Sequence, residues 1–298
     1  MITTMSVPLE QLNAANPDDF VATLGSVYEH SPWVAAAVAG QRPFASLASL
    51  NAAMAAAVRT APPAQRLALI ELHPDLAGRP ARAGDITAES KSEQGGAGLD
   101  RLSDTEYALF QQFSEAYRQK FAIPFIVCVR RHTKDSILRQ YERRLQNARE
   151  AEIETALGEI FRIAALRLSD RVKATDELPV SGRLSTHVLD NYDGRPAQGV
   201  ALTLSELGND DARRLVVQTA TNPDGRTDSP LIGGRPVPIG RYELRFEIGH
   251  YYASRNIPTA DPPFLQSVPV EFFVAEPEGH YHVPLLVTPW SFSTYRGS

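Results

Sequence analysis

The sequence predicts two folds in series: an all-α domain over 1–172 and an all-β sandwich over 183–298, joined by a linker at 173–182. Two observations carry the division. From Leu9 to Val172 the chain is rich in Ala and Leu and repeats helix-capping signals, with few β-branched runs. After the polar stretch Lys173-Ala-Thr-Asp-Glu-Leu-Pro-Val-Ser-Gly182 it changes to short runs of Val, Leu, Thr, Tyr and Phe, punctuated by Asp193-Gly194, Pro223-Asp-Gly225 and Gly233-Gly234. A length of 298 residues also exceeds one ordinary core and suits two.

Individual elements follow. Ser103-Asp-Thr-Glu106 is a capping box, in which hydroxyl and carboxylate satisfy orphan N–H groups, so a helix runs from it through Lys120. Thr133 and Asp135 start another over Ser136–Gln146. A last helix, Ala151 to about Val172, carries Ile153, Leu157, Ile160, Ile163, Ala164 and Leu168 at helical spacing. Beyond the linker, Gly182–Asp190 reads as a strand, Arg241–Ile248 alternates polar and apolar, and about seven or eight strands are expected in all.

The net charge of −5 excludes a basic stripe for nucleic acid. The pairs Arg130-Arg131 and Arg143-Arg144 lie among acids and amides and read as solvated helix faces. Cys128 is the single cysteine and sits in the apolar run Pro124–Val129, so it belongs to a core and forms no intrachain disulfide. No run approaches the ~20 apolar residues that span a bilayer. The N-terminus lacks a signal-peptide pattern, and the ending Gly-Ser is not a Ser-Lys-Leu address. A cytoplasmic protein is expected, with no membrane partner.

Chemistry concentrates in Glu71-Leu-His73-Pro74-Asp75-Leu-Ala-Gly78 and Thr87-Ala-Glu-Ser90-Lys-Ser-Glu93-Gln94. With Thr87 as cap, Ser90, Glu93 and Gln94 fall on one helix face. A His before Pro is held out of the helix, where its ring can enter a cleft, although a lone His of this kind is more often structural. The motif His-Pro-Asp-Leu-Ala-Gly followed by Glu-Ser-x-x-Glu-Gln, with Tyr28-Glu-His-Ser-Pro-Trp33, Phe125–Arg130 and Arg167-Leu168, resembles the decarboxylases of the uric-acid pathway. The resemblance spans nearly the whole domain. It implies decarboxylation of 2-oxo-4-hydroxy-4-carboxy-5-ureidoimidazoline to (S)-allantoin without a cofactor. His73 would be catalytic, Glu93 its acid/base partner and Arg167 the cation engaging the ligand, with Ser90, Gln94, Pro74 and Phe125 around the substrate. A surface ion pair is the plain alternative for Arg167.

In the β half, Leu184-Ser-Thr-His-Val-Leu-Asp190, Gly225-Arg-Thr-Asp228, His282-Val-Pro-Leu-Leu286 and the terminal Tyr295-Arg-Gly-Ser298 together resemble the 5-hydroxyisourate hydrolases, the enzymatic relatives of transthyretin. That resemblance implies a catalytic set of His187, Arg226 and His282, completed by Tyr295, Arg296 and Ser298. Ring opening of a cyclic amide by water needs a base, an oxyanion donor and a cation for the anionic substrate, and imidazoles with a guanidinium supply these. His280, His282 and His187 could mimic a zinc site, but no Cys or carboxylate ligand stands near them in sequence, so no metal is expected. Two alternatives remain: a transthyretin-like binding module carrying a helical interaction domain, or a chain in which one of the two sites works. The hydrolase resemblance further implies a homo-oligomer, with a tetramer through the β domain.

Overall fold

A computed structural model describes residues 6–76 and 87–297. The chain divides into two compact units, residues 1–130 with 136–180, and residues 131–135 with 181–298.

The helical unit contains α1 (Leu9–Ala14), α2 (Pro17–Leu24), α3 (Trp33–Val38), α4 (Leu47–Thr60), α5 (Pro63–Glu71), α6 (Ala88–Gly96), α7 (Asp104–Phe121), α8 (Lys134–Arg144) and α9 (Arg149–Arg171). The capping signals work as the sequence implies. Ser103 and Glu106 make both bonds of their capping box, and Thr87 accepts the N–H of Ser90 at the start of α6. The ends of the unit are tied by two short parallel strands, β1 (Val7–Pro8) and β2 (Val172–Lys173).

Helix α9 organises the core. Ala156, Leu157, Ile160, Ile163, Ala164 and Leu168 are all buried along one face. Arg167 lies three residues after Ala164 and four after Ile163, so helical geometry delivers its guanidinium to the same face. Glu152 enters the interior in the same way and is fully buried.

Arg144 corrects a sequence expectation. It is 2 % exposed, donates Nε to Glu152 at 2.7 Å and Nη1 to the carbonyl of Ile126 at 2.6 Å, and lies over the Phe125 ring at 4.4 Å. Arg143 takes the solvated position expected of the pair and binds Gln140. Adjacent helix positions point about 100° apart, so a doublet cannot share one environment.

The β unit is a sandwich of a five-stranded and a four-stranded sheet. The first contains β11 (Phe292–Thr294), β10 (His280–Val287), β3 (Gly182–Asp190) and β4 (Arg195–Pro196) in that order, with β7 (Ile232–Arg235) also pairing with β3. The second runs β6 (Arg213–Ala220), β5 (Ala201–Leu207), β8 (Gly240–Phe246), β9 (Val268–Val274). One element departs from the sequence reading: after Phe246 the chain enters helix α10 (Ile248–Ser254). This helix buries Tyr251 and Tyr252, whose hydroxyls donate to the buried carboxylate of Asp190 at 2.8 and 2.9 Å.

Strand pairing decides what the first sheet presents. β3 and β10 are parallel, with Ser185 opposite His282 and His187 opposite Pro284. Side chains alternate along a strand, so Leu184, Thr186 and Val188 face the core while Ser185 and His187 face outward beside His280 and His282.

Candidate active sites

In the helical unit, His73 follows the end of α5, where the last helical carbonyls lack intrahelical partners. Its Nδ1 lies 2.9 Å from the carbonyl oxygen of Leu69. A carbonyl can only accept, so Nδ1 carries the proton and Nε2 of the neutral ring holds a lone pair. Pro74 is half-buried beside it. Burial is the main cause that pushes the His73 pKa down to about 4; the Leu69 carbonyl and Glu29 oppose the shift, and Arg167 and His30 add to it. At neutral pH the ring is uncharged.

Arg167 is 6 % exposed, and its whole guanidinium fork is engaged. Nε and Nη2 grip both oxygens of Glu93 at 2.9 and 2.8 Å. Nη2 also reaches Ser90 Oγ at 3.2 Å, and Nη1 reaches Glu29 at 2.7 Å with a longer contact of 3.5 Å to the Ser26 carbonyl. The magnitudes explain why a cation tolerates this place. Desolvation costs several kcal/mol per ion, whereas charge-assisted hydrogen bonds return about 1.5–3 kcal/mol each. Only a nearly saturated fork offsets the loss.

Glu29 is 2 % exposed and accepts from Thr87 at 2.6 Å and Ser90 at 3.1 Å as well as from Arg167. Burial works against its ionisation, but Arg167 and the Thr87 hydroxyl outweigh it and hold the carboxyl below its ordinary range. A cleft of about 370 Å³ borders the cluster, lined by Ser26, Glu29, His30, Pro32, Thr87 and Glu89 among others.

The structure therefore gathers Ser90, Glu93 and Arg167 around Glu29, with His73 in their electrostatic field, and Gln94 buried on the same helix. Phe125 goes elsewhere: its ring stacks on Tyr141 at 3.6 Å and under Arg144, in the aromatic core. The residue that sequence reasoning passed over is Glu29. Its signal was present, since it lies inside Tyr28-Glu-His-Ser-Pro-Trp33, but nothing local marks that carboxylate as buried.

In the β unit, Ser185 Oγ lies 3.0 Å from His282 Nδ1 and 3.4 Å from His280 Nε2. His187 of β3 pairs with Arg226 through an isolated antiparallel bridge. The turn before Arg226 is set by Asn222, whose side chain accepts from the N–H of Asp224 and of Arg226, and by Gly225 at φ 70°. A Cβ at Gly225 would stand 2.4 Å from the Val188 carbonyl oxygen, so no other residue fits that close approach.

Burial, then Arg226, pushes the His187 pKa down, against a main-chain bond and the charge from Asp224. Burial and then Arg226, with His187, His280 and Arg183, lower that of His282. His187 Nε2 is buried and makes no hydrogen bond among the described residues. Two imidazoles biased toward the neutral form thus stand beside an exposed cation.

The C-terminal segment closes on this site. The N–H of Gly297 donates to the His282 carbonyl at 2.8 Å, and a Cβ on Gly297 would meet His282 Cδ2 at 2.8 Å. The Arg296 guanidinium lies 4.8 Å from the centre of the Tyr281 ring, while Tyr295 is exposed. Ser298 lies outside the described residues. Asp224 and Ser185, which engage the two imidazoles, were not among the expected site residues; both depend on pairing that joins distant segments.

Comparison with known proteins finds a family for each unit. Residues 13–169 match the OHCU decarboxylase family and residues 184–297 the HIUase/transthyretin family. The 2-oxo-4-hydroxy-4-carboxy-5-ureidoimidazoline decarboxylase of Haloferax volcanii is 41 % identical over 163 residues, 55 % of this chain and 95 % of that protein. The 5-hydroxyisourate hydrolase 2 of Rhizobium meliloti is 50 % identical over 118 residues, 40 % of this chain and 98 % of its own length. A crystal structure of (S)-allantoin synthase superposes with a TM-score of 0.52 at 35 % identity, covering 98 % of this chain and all of that one. The chain belongs to the OHCU decarboxylase family through its helical unit and to the HIUase/transthyretin family through its β unit.

Proposed function

We propose that this chain is a bifunctional enzyme of urate degradation, opening 5-hydroxyisourate in the β unit and decarboxylating the product to (S)-allantoin in the helical unit. The observation that carries the reading is that one chain holds two separate imidazole sites, in each of which burial lowers the imidazole pKa and a guanidinium lowers it further. They catalyse consecutive steps, since the hydrolase product is the decarboxylase substrate.

In the β unit, a neutral imidazole, His187 or His282, takes a proton from the attacking water. Arg226 attracts the anionic substrate and stabilises the oxyanion that forms. Ser185 fixes the orientation of His282. Gly297, packed against His282, closes the pocket, with Tyr295 and Arg296 at its rim.

In the helical unit, the substrate carries hydroxyl and carboxyl on one ring carbon and ureido on the next. Loss of CO2 leaves an electron pair that the adjacent C=N takes up, its nitrogen gaining a proton from solvent water. Nε2 of His73 accepts the hydroxyl proton, leaving a carbonyl, and the imidazolium delivers a proton to the ureido-bearing carbon. Glu93 keeps lone pairs for substrate N–H groups, and Ser90, Gln94 and Pro74 shape the pocket around the ring.

The β unit is further read as the core of a homotetramer, supported by the exposed aromatics Phe273, Trp290 and Phe292 on its strands and adjoining loop. Among the described residues no helix is long and apolar enough to cross a membrane. The deciding experiment is a spectroscopic time course from freshly generated 5-hydroxyisourate with optical rotation read at the end. Two accelerated phases and optically active allantoin are expected; uncatalysed rates or a racemic product would overturn the reading.

A further inference from the structure

The Arg167 fork poses a chemical question. A cation bonded to the substrate carboxylate would stabilise the charge that disappears as CO2 departs, so it would bind the ground state better than the transition state and slow the reaction. The structure meets this by occupying the cation elsewhere. All N–H groups of Arg167 already have protein acceptors, and the acceptor on the Nη1 side is Glu29.

We propose that Glu29 is a positioning residue for decarboxylation: it pins Arg167 as a clamp on Glu93 and keeps the guanidinium from pairing with the substrate carboxylate. The proposal rests on the decarboxylase reading. Three features make Glu29 suited to the task. It is almost wholly buried, so its charge is weakly screened. It accepts from Thr87, the cap of α6, and from Ser90 in the first turn of that helix, which carries Glu93, and from Arg167 on α9, so one carboxylate ties the two helices together. Its ionic surroundings are Arg167 and, through Arg167, Glu93, with the imidazoles of His73 and His30 nearby; His30 Nε2 is 3.9 Å away. With Glu29 neutralised, Nη1 loses its anionic partner and is available to a bound carboxylate, while Nε and Nη2 stay on Glu93.

This gives Glu29 a kinetic signature that general damage lacks. Glu29→Gln preserves shape and most hydrogen bonding but removes the charge. Steady-state decarboxylation by the full chain should show kcat lowered by about 30-fold, with KM unchanged or lowered, because substrate gains a cation in the ground state. Helicity by circular dichroism and the melting temperature report folding. A kcat within about threefold of wild type overturns the proposal, as does any clear rise in KM, which would mean that Glu29 supports binding or merely the fold. Should the Gln variant not fold, Glu29→Asp replaces it: the charge remains but its reach is one methylene shorter. A kcat lowered about tenfold without a rise in KM then supports the proposal, and wild-type kinetics overturn it. Failure of the wild-type chain to release CO2 would instead sink the decarboxylase reading itself.

Discussion

His73 donates its Nδ1–H to the carbonyl of Leu69, four residues earlier and 2.9 Å away, so the end of helix α5 selects the tautomer of the imidazole that the site uses. With burial lowering its pKa to about 4, the ring is a neutral base across the physiological range. The kcat/KM profile for decarboxylation should therefore be flat on its acid side down to about pH 5 and fall below that, as protonation removes the Nε2 lone pair. The same depression makes a stability contribution present above the unfolded-state value of about 6.5 and lost as pH falls toward 4, because the unfolded chain binds the proton more readily. A pH–rate series checks the first statement and urea titrations between pH 7 and 4 the second. An acid limb near 6.5 would contradict the buried-base assignment.

The units should separate by mutation. His73→Asn is expected to lower decarboxylation by about 10²–10⁴-fold, the usual weight of a general acid–base group, while ring opening continues. Accumulation of the ring-opened intermediate, followed by its absorbance and by slow racemic decay, is the readout.

Arg226→Gln should act on the hydrolase alone and in two ways. Loss of the cation lowers kcat/KM for the anionic substrate by about 10²-fold. Arg226 is also, after burial, a cause of the low pKa of both His187 and His282, so its removal should move the acid limb of the ring-opening profile to higher pH. An unmoved limb would show that the titrating base is some other group.

At the C-terminus, Gly297→Ala places a methyl 2.8 Å from His282 Cδ2 and must displace either the segment or the ring. Ring opening should fall by about tenfold in this variant and by about 10²-fold on deletion of Arg296–Ser298, with decarboxylation unchanged. Stopped-flow rates at matched oligomeric state test it, and equal rates would leave the segment with no part in catalysis.

Core stability in the helical unit should depend on the Arg144–Glu152 pair. Arg144→Met keeps the packing against Phe125 but leaves a fully buried carboxylate with Asn147 and Tyr117 as its remaining partners. A loss of about 3–5 kcal/mol is expected by chemical denaturation, and Arg144→Met with Glu152→Leu should recover much of it, since the cost lies in the unpaired charge.

The sequence by itself determined most of the architecture. Helical and strand periodicities differ by nearly a factor of two, so the change after Val172 is visible without any contact information. Caps such as Ser103 with Glu106 act within four residues and are equally local. The placement of Ser90, Glu93 and Gln94 on one face of α6 followed from spacing alone, as did the strand alternation that turns His187 away from the core. Tertiary structure decided what spacing cannot encode. Only folding brings Glu29 to Arg167 across 138 positions, and only the parallel register of β3 and β10 sets Ser185 beside His282. It also sent Phe125 and Arg144 into the aromatic core and buried Arg167, whose local reading was a surface ion pair, between Glu29 and Glu93. The physical reason is common to these cases: the state of a charge or imidazole depends on desolvation and on partners brought from distant segments, and neither is written in the neighbouring residues.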